Sequence, residues 1–368
     1  MTNSGEREAR VKRLQQEMEE RGVDVTAIAP TSNMRYLLGF SPLADERLCL
    51  LLLTGAGTRL VVPELNADQV EARAGVRGIR WSDDTGPEGA LDQALEELGA
   101  REPAVLAVDA AMRADALLLL QEAAGPEESI NASNLMGALR VRKSEREIEA
   151  LARAAAQADR AMMAGLEACR PGATEREVAQ IIARTFREDG ADEVHATLVA
   201  SGPHSAFPHH EAGGRALEQG DTVVIDIVAT LDGYCSDITR MLHLGQPSSE
   251  VRQVYDTVLK ANQAGREAVR PGTRACAVDR ATRSVIEEAG YGPYFVHRTG
   301  HGLGMDVHEP PWISATNEQL LEPGMVFSVE PGIYLPDRFG IRIEDIVVVT
   351  EDGCRCLTGL DRDLIVRE

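Results

Sequence analysis

The chain is poor in the features that would tie it to nucleic acid, to a membrane or to an oxidising compartment. Its 368 residues hold 38 Lys and Arg against 59 Asp and Glu, a formal charge of −21. A nucleic-acid surface needs a basic patch, so this balance argues against that class and reads instead as a solubilising surface. No apolar run approaches the ~20 residues that cross a bilayer; the longest, residues 48–53, is only strand-sized. The N-terminal stretch MTNSGEREARVKR carries charge with no apolar segment behind it, which is not the pattern of a secretory signal. The six cysteines are scattered, and Cys354-Arg355-Cys356 is too closely spaced for the usual zinc pair and has no second pair to complete a site. Reduced thiols in a cytoplasmic protein are the expectation.

What remains is a globular composition, 43% hydrophobic and 26% charged, long enough for two domains. Residues 7–21 predict a helix with Val11, Leu14 and Met18 on one face. Short apolar runs at 23–29, 48–54, 59–62 and 104–108 predict buried strands, with helical stretches at 87–98 and 112–123 between them. All eight histidines lie after residue 190, so the chemistry is expected in the second part of the chain. The boundary is expected near residues 139–143, giving a smaller N-terminal α/β domain over 1–138 and a C-terminal domain over 139–368.

Beyond the boundary two capping boxes open helices, Ser144-Glu145-Arg146-Glu147 and Thr174-Glu175-Arg176-Glu177. The sequence then repeats. Arg170-Pro171-Gly172 ends one long helix and Arg270-Pro271-Gly272 another, with Gly190 and Gly290 each 18 residues further on. Leu217-Glu218-Gln219-Gly220 and Leu321-Glu322-Pro323-Gly324 each precede an apolar strand with an acid six places after the glycine, Asp226 in one and Glu330 in the other. Asp237 follows eleven residues after the first acid and Glu344 fourteen after the second. Two folded halves would bring four carboxylates to one pseudo-symmetric site.

Buried ionised carboxylates cost several kcal/mol each unless paired or bound to a cation. Arg240 and Arg342 are close enough in sequence to neutralise single acids, but two arginines cannot balance four carboxylates, whereas two divalent ions can. Histidines cluster beside them: His301 is bracketed by glycines in Gly300-His301-Gly302-Leu303-Gly304, His297 and His308 flank it, and His209 lies in Pro208-His209-His210. His195, His204, His210 and His243 read as surface or supporting residues. Four carboxylates and His301 form a hard, oxygen-rich set that suits Mn²⁺, Co²⁺, Fe²⁺ or Zn²⁺, with two such ions ~3.5–4 Å apart able to share ligands and a water.

These residues resemble the pita-bread metallopeptidases of family M24, in the Xaa-Pro aminopeptidase and Xaa-Pro dipeptidase (prolidase) branch. The resemblance rests on Lys143-Ser144, Ser201-Gly202 through His209, Asp232-Gly233-Tyr234, Ser236-Asp237-Ile238-Thr239-Arg240, His297 through His308, Glu330-Pro331-Gly332 and Arg342-Ile343-Glu344-Asp345, spanning about residues 140–350. It implies an α+β fold: a C-terminal pita-bread domain of pseudo-twofold α-β repeats, preceded by the smaller α/β domain of the creatinase type. It also implies two divalent ions, Mn²⁺ first among the candidates, held by Asp226, Asp237, His301, Glu330 and Glu344, with Asp237 and Glu344 bridging. A metal-bridging water or hydroxide would attack the scissile carbonyl, with Glu330 taking its proton and His209 and His308 steadying substrate and tetrahedral intermediate. His297, Arg298, Tyr334 and Arg342 would line the substrate pocket; Arg298 and His297 are candidates for a substrate carboxylate. Val228 stands where relatives often have glycine, and Met241 where they often have threonine; neither removes a ligand. The expected substrate is a proline-containing peptide cut at the Xaa-Pro bond, and the expected assembly a homodimer. A metal-free creatinase-like C–N hydrolase and a non-catalytic pita-bread binding module are the alternatives; both predict loss of the carboxylates, and all are present.

Overall fold

In a computed structural model, residues 4–368 are described; the first three residues of the charged N-terminal stretch lie outside the described region. The chain divides into two units, one ending at Arg140 and the other Val141–Glu368. The first runs α1 (Ser4–Glu20), β1 (Val25–Ile28), α2 (Ser32–Leu38), β2 (Leu50–Thr54), β3 (Gly57–Pro63), α3 (Glu64–Ala74), β4 (Ile79–Trp81), α4 (Glu88–Leu98), β5 (Val105–Val108), α5 (Ala114–Ala124), β6 (Glu128–Asn131) and α6 (Ser133–Arg140). Its strands form one mixed sheet in the order β4-β3-β2-β1-β5-β6. Val25, Ala27, Leu50, Leu52 and Val61 pack against Leu91, Leu95 and Leu120 of α4 and α5, so the apolar runs are indeed core strands.

The second unit begins with α7 (Glu145–Ala168) and α8 (Glu175–Glu188), each opened by a complete capping box, Ser144 with Glu147 and Thr174 with Glu177. These satisfy helix-end N–H groups that would otherwise be orphaned. Strands β7 (Glu193–Ser201), β8 (Thr222–Leu231) and β9 (Tyr234–Leu244) follow, then α9 (Ser249–Ala268) and α10 (Ala275–Glu288). The remainder is β10 (Gly300–Gly302), β11 (Glu309–Ile313), β12 (Val326–Val329), β13 (Gly332–Leu335), β14 (Phe339–Arg342), β15 (Asp345–Val349), β16 (Cys354–Cys356) and β17 (Ile365–Arg367). One sheet has the order β17-β9-β8-β7, another β11-β10-β12-β15-β16, and β13 and β14 pair as a separate ribbon.

The internal repeat is physical. Gly172 N–H bonds Leu217 O at 2.8 Å, and Gly272 N–H bonds Leu321 O at the same distance. The helix pairs repeat as well. A Cβ on Gly165 would stand 2.6 Å from Ile182 Cδ1, and one on Gly265 would stand 2.4 Å from Thr282 Oγ1. In both halves a glycine lets two helices approach at a spacing no larger residue permits.

Candidate metal centre

Strand period decides where the acids point. Val223, Ile225, Ile227 and Ala229 of β8 lie in the core with α7 and α8, so Asp226 projects to the opposite face. Ile238 and Leu242 of β9 do the same and leave Asp237 and Thr239 on the Asp226 side. The two strands join through Asp232-Gly233, with φ of 53° and 82°, the left-handed pair that a two-residue hairpin turn requires. That turn sets the register: Asp226 opposes Thr239 and Val228 opposes Asp237, so Asp226 and Asp237 are diagonal neighbours on one face. In the other sheet Val329 pairs with Asp345, so Glu330 and Glu344 stand one step beyond, facing each other at the ends of β12 and β15. The Glu344 amide donates to Thr239 O at 3.3 Å, bringing the two pairs of acids together.

His301 enters from β10. Its Nε2 is 3.2 Å from Glu330 Oε1 and 3.8 Å from Asp237 Oδ2. Asp237, His301 and Glu344 present ligand atoms all within 4.8 Å of one another, and all three are buried. His301 sits beside Gly300, where a Cβ would meet Ser328 O at 1.8 Å; only glycine lets β10 lie this close to β12.

Burial followed by mutual repulsion raises the pKa of Asp237, with Glu344, Asp226 and Glu330 all acting on it. Glu344 is raised by burial, then by Glu330 and Asp226. Glu330 is also raised, by burial first, although His297 and Arg342 oppose it. Burial pushes His301 down to about 4, leaving a neutral imidazole able to donate a lone pair. Among the described residues Glu344 Oε1 is buried without a hydrogen-bond partner. An orphaned carboxylate oxygen, crowded acids and one neutral imidazole fit divalent ions of the hard to borderline kind.

The arginines divide unequally. Arg240 is spent on Asp345 (2.9 Å) and on the carbonyls of Thr239 and Glu344. Arg342 bonds Asp226 at 2.5 Å, Tyr334 Oη at 2.8 Å and Thr239 Oγ1 at 3.2 Å. One guanidinium therefore faces four carboxylates. Tyr334 Oη also meets His297 Nε2 at 2.9 Å, and burial pushes the phenol up to about 12. His297 is itself lowered by burial. The His308 ring is open to solvent on one side and lies 4.1 Å, centroid to centroid, from His301. Partial burial, then His301 and Arg298, push it down to about 4. Arg298 stacks 4.3 Å over the Trp312 ring.

Of the eleven residues singled out in the sequence, nine are joined by these contacts; Arg298 stacks on Trp312, the register partner of His301, and His209 follows Pro208, whose carbonyl accepts from Arg342 at 3.4 Å. Val228 is buried opposite Asp237, and Met241 packs in the core with Val254 and Ile341. Sequence reasoning missed Thr239, whose hydroxyl donates to Glu344 Oε2 at 2.8 Å, and Ser328, which donates to Glu330 Oε1 at 2.9 Å. Each lies two residues from an acid on the same strand face, which is the signal that finds them. Trp312, paired in register with His301, was missed too.

A paired-carboxylate, single-histidine centre between two repeated halves defines a metallohydrolase-type site, and the comparisons agree. Residues 149–351 match the model of metallopeptidase family M24, and residues 10–142 that of the creatinase/prolidase N-terminal domain. The chain belongs to metallopeptidase family M24 and has its pita-bread fold. It is 43% identical over 351 residues to the probable dipeptidase PepE of Mycobacterium tuberculosis, covering 94% of this chain and 92% of the relative. It is 35% identical over 357 residues to the Xaa-Pro dipeptidase of Pyrococcus furiosus, covering 97% and 99%. The crystal structure of dipeptidase PepE from Mycobacterium ulcerans superposes with a TM-score of 0.92 at 39% identity over 99% of both chains.

Proposed function

We propose that this protein is a dinuclear-metal exopeptidase that hydrolyses the Xaa-Pro bond, in dipeptides or at the N-terminus of short peptides. The observation that carries it is the cluster of four carboxylates and His301 facing a single arginine. Relatives named as dipeptidase and Xaa-Pro dipeptidase over nearly the whole chain support the substrate class. The metal-free creatinase-like reading and the binding-module reading have no support in a site that keeps every carboxylate.

Asp226, Asp237, His301, Glu330 and Glu344 would hold two divalent ions, Mn²⁺ the first candidate. When bound, the ions supply a Lewis acid for the scissile carbonyl and an acidified water. The chain's own residues do the rest. Glu330 would accept a proton. His308 and His209 hydrogen-bond the substrate carbonyl as charge builds on its oxygen, His308 from a ring that is neutral at pH 7. His297 and Tyr334, bonded to each other, and Arg342 behind them form the wall beside the bond cut. Arg298, stacked over Trp312, would take a substrate carboxylate. The second unit, from about residue 139, would be the catalytic domain; a homodimer in the cytoplasm is the setting proposed. None of the described helices is long and apolar enough to cross a membrane.

The test is hydrolysis by Mn²⁺-loaded protein of Xaa-Pro dipeptides against Xaa-Pro-Xaa tripeptides. Cleavage of the dipeptides is expected; inactivity on both classes with metal bound would reject the proline reading.

A further inference from the structure

Glu175 is the first residue of α8 and its side chain is fully buried. It is not among the residues assigned to the metal centre or to the substrate. Burial alone would raise its pKa, yet the hydrogen bonds from His210, Ser201 and Gly213 outweigh it and the net shift is downward, so the group is ionised. Its Oε1 accepts from Ser201 N at 2.9 Å, Ser201 Oγ at 2.7 Å and His204 Nδ1 at 3.0 Å. Its Oε2 accepts from His210 Nε2 at 2.9 Å and Gly213 N at 3.1 Å. An ionised carboxylate can only accept, so His204 carries its proton on Nδ1 and His210 on Nε2.

Glu175, His204 and His210 have the composition of a cation site. Five donors already occupy the two oxygens, however, and Arg215 adds fixed positive charge by donating to Ser201 Oγ at 2.6 Å. The cluster is an anchor for a segment of chain. That segment, residues 201–213, carries His209. Further fixings hold it: Ser205 Oγ accepts from Gly340 N at 2.8 Å, and Arg342 donates to Pro208 O at 3.4 Å. His209 itself is exposed, so its place is set through its neighbours, Pro208 held by Arg342 and His210 held by Glu175.

The other half of the repeat uses the same device. Asp279 of α10, 1% exposed, accepts from Thr299 N at 3.1 Å and Thr299 Oγ1 at 2.8 Å, as Glu175 accepts from the amide and hydroxyl of Ser201. Arg283, bonded to Asp279, holds His297 O at 2.8 Å. In each half a buried helix carboxylate grips a Ser or Thr at one end of a segment that bears a substrate-facing histidine.

We propose that Glu175 is a positioning residue: it fixes the chain on the far side of His209 and so sets where that imidazole meets the substrate. This rests on the reading of His209 as a substrate-contacting group. Misplacing such a group by about 1 Å costs on the order of 100-fold in rate.

The test is a double-mutant cycle on the Mn²⁺-loaded enzyme with an Xaa-Pro dipeptide, measuring kcat, KM and metal content. E175Q should keep both equivalents of metal and lose roughly 10- to 100-fold in kcat, the range of supporting-residue losses. In an H209A background the same change should cost less than about 2-fold, because the group it positions is gone. An equal loss in both backgrounds would overturn the proposal, since it would show Glu175 acting elsewhere, as would full activity of E175Q while H209A is impaired. Full activity of H209A would overturn the underlying role of His209 and the proposal with it. Should E175Q fail to fold, S201A removes the hydroxyl donor to Glu175 and keeps the amide one, and should show a smaller loss with the same dependence on His209; S201A losses that persist undiminished in H209A would count against it.

Discussion

The guanidinium of Arg342 lies against Asp226 at 2.5 Å while its other arm holds Tyr334 Oη at 2.8 Å, so one side chain ties a carboxylate of the candidate metal centre to the tyrosine of the proposed substrate pocket. Its Nε reaches Thr239 Oγ1, which in turn donates to Glu344 Oε2. Tyr334 and Arg342 both lie on the ribbon β13–β14, which runs between Glu330 and Glu344 as the outer part of the β8–β9 hairpin runs between Asp226 and Asp237.

R342K keeps the charge but cannot span three partners, because an ammonium is a point donor where the guanidinium is a rigid fork. Metal affinity, read by chelator competition, is expected to fall about 10- to 100-fold, the scale for groups that orient ligands. Unchanged affinity would show that Asp226 is held without Arg342.

Glu344 offers one oxygen to Thr239 and, among the described residues, leaves the other buried without a partner. E344A should therefore lose both bound metal, by elemental analysis, and hydrolysis. Full activity in that variant would sink its assignment as a ligand shared by both ions.

The raised pKa values of Asp237, Glu330 and Glu344 carry a sign that can be checked in the chelated protein. Unfolded, these groups titrate near the ordinary carboxylate value of about 4. Folded, they hold protons to higher pH, so above about pH 4 the native state binds more protons than the unfolded one and stability falls as pH rises. In the metal-loaded protein the same carboxylates are deprotonated, and stability is lost as pH falls instead. Thermal melts with and without chelator should separate increasingly from pH 5 to pH 8. A constant gap would mean that these acids do not share protons in the chelated state.

Much of this was legible because the chain states it twice. The repeated Arg-Pro-Gly and the glycine-to-acid spacing of six located Asp226 and Glu330, and strand period explains why both project away from their helices. The capping boxes at Ser144 and Thr174 marked α7 and α8 to the residue. Less was legible in the first unit. The elements α2, α3, β4, β6 and α6 were not foreseen: α2, β4, β6 and α6 run only three to eight residues, and the buried face of α3 is no more than Ala67, Val70 and Ala74, too small an apolar stripe to stand out. Glu175 was hidden for a different reason: within the capping box it reads as a first-turn acid serving the helix dipole, and only the return of residues 201–213 shows what its carboxylate holds.

Gly300 offers a test that separates packing from chemistry. A Cβ there would fall 1.8 Å from the Ser328 carbonyl oxygen, which is backbone and cannot swing aside. The Ser328 hydroxyl accepts the His301 amide at 3.0 Å and donates to Glu330, so pushing β10 off β12 disturbs His301 and Glu330 together. G300A should destabilise by about 1–3 kcal/mol or more, the range for overpacked sites, and should weaken metal binding at the same time. G353A is the control: nothing stands within 4 Å of its Cβ position, and its stability is expected to stay within about 0.5 kcal/mol of the parent. Denaturant melts of both, paired with metal titration, decide the matter; a G300A protein of parental stability and affinity would mean that the sheet can open at His301 without cost.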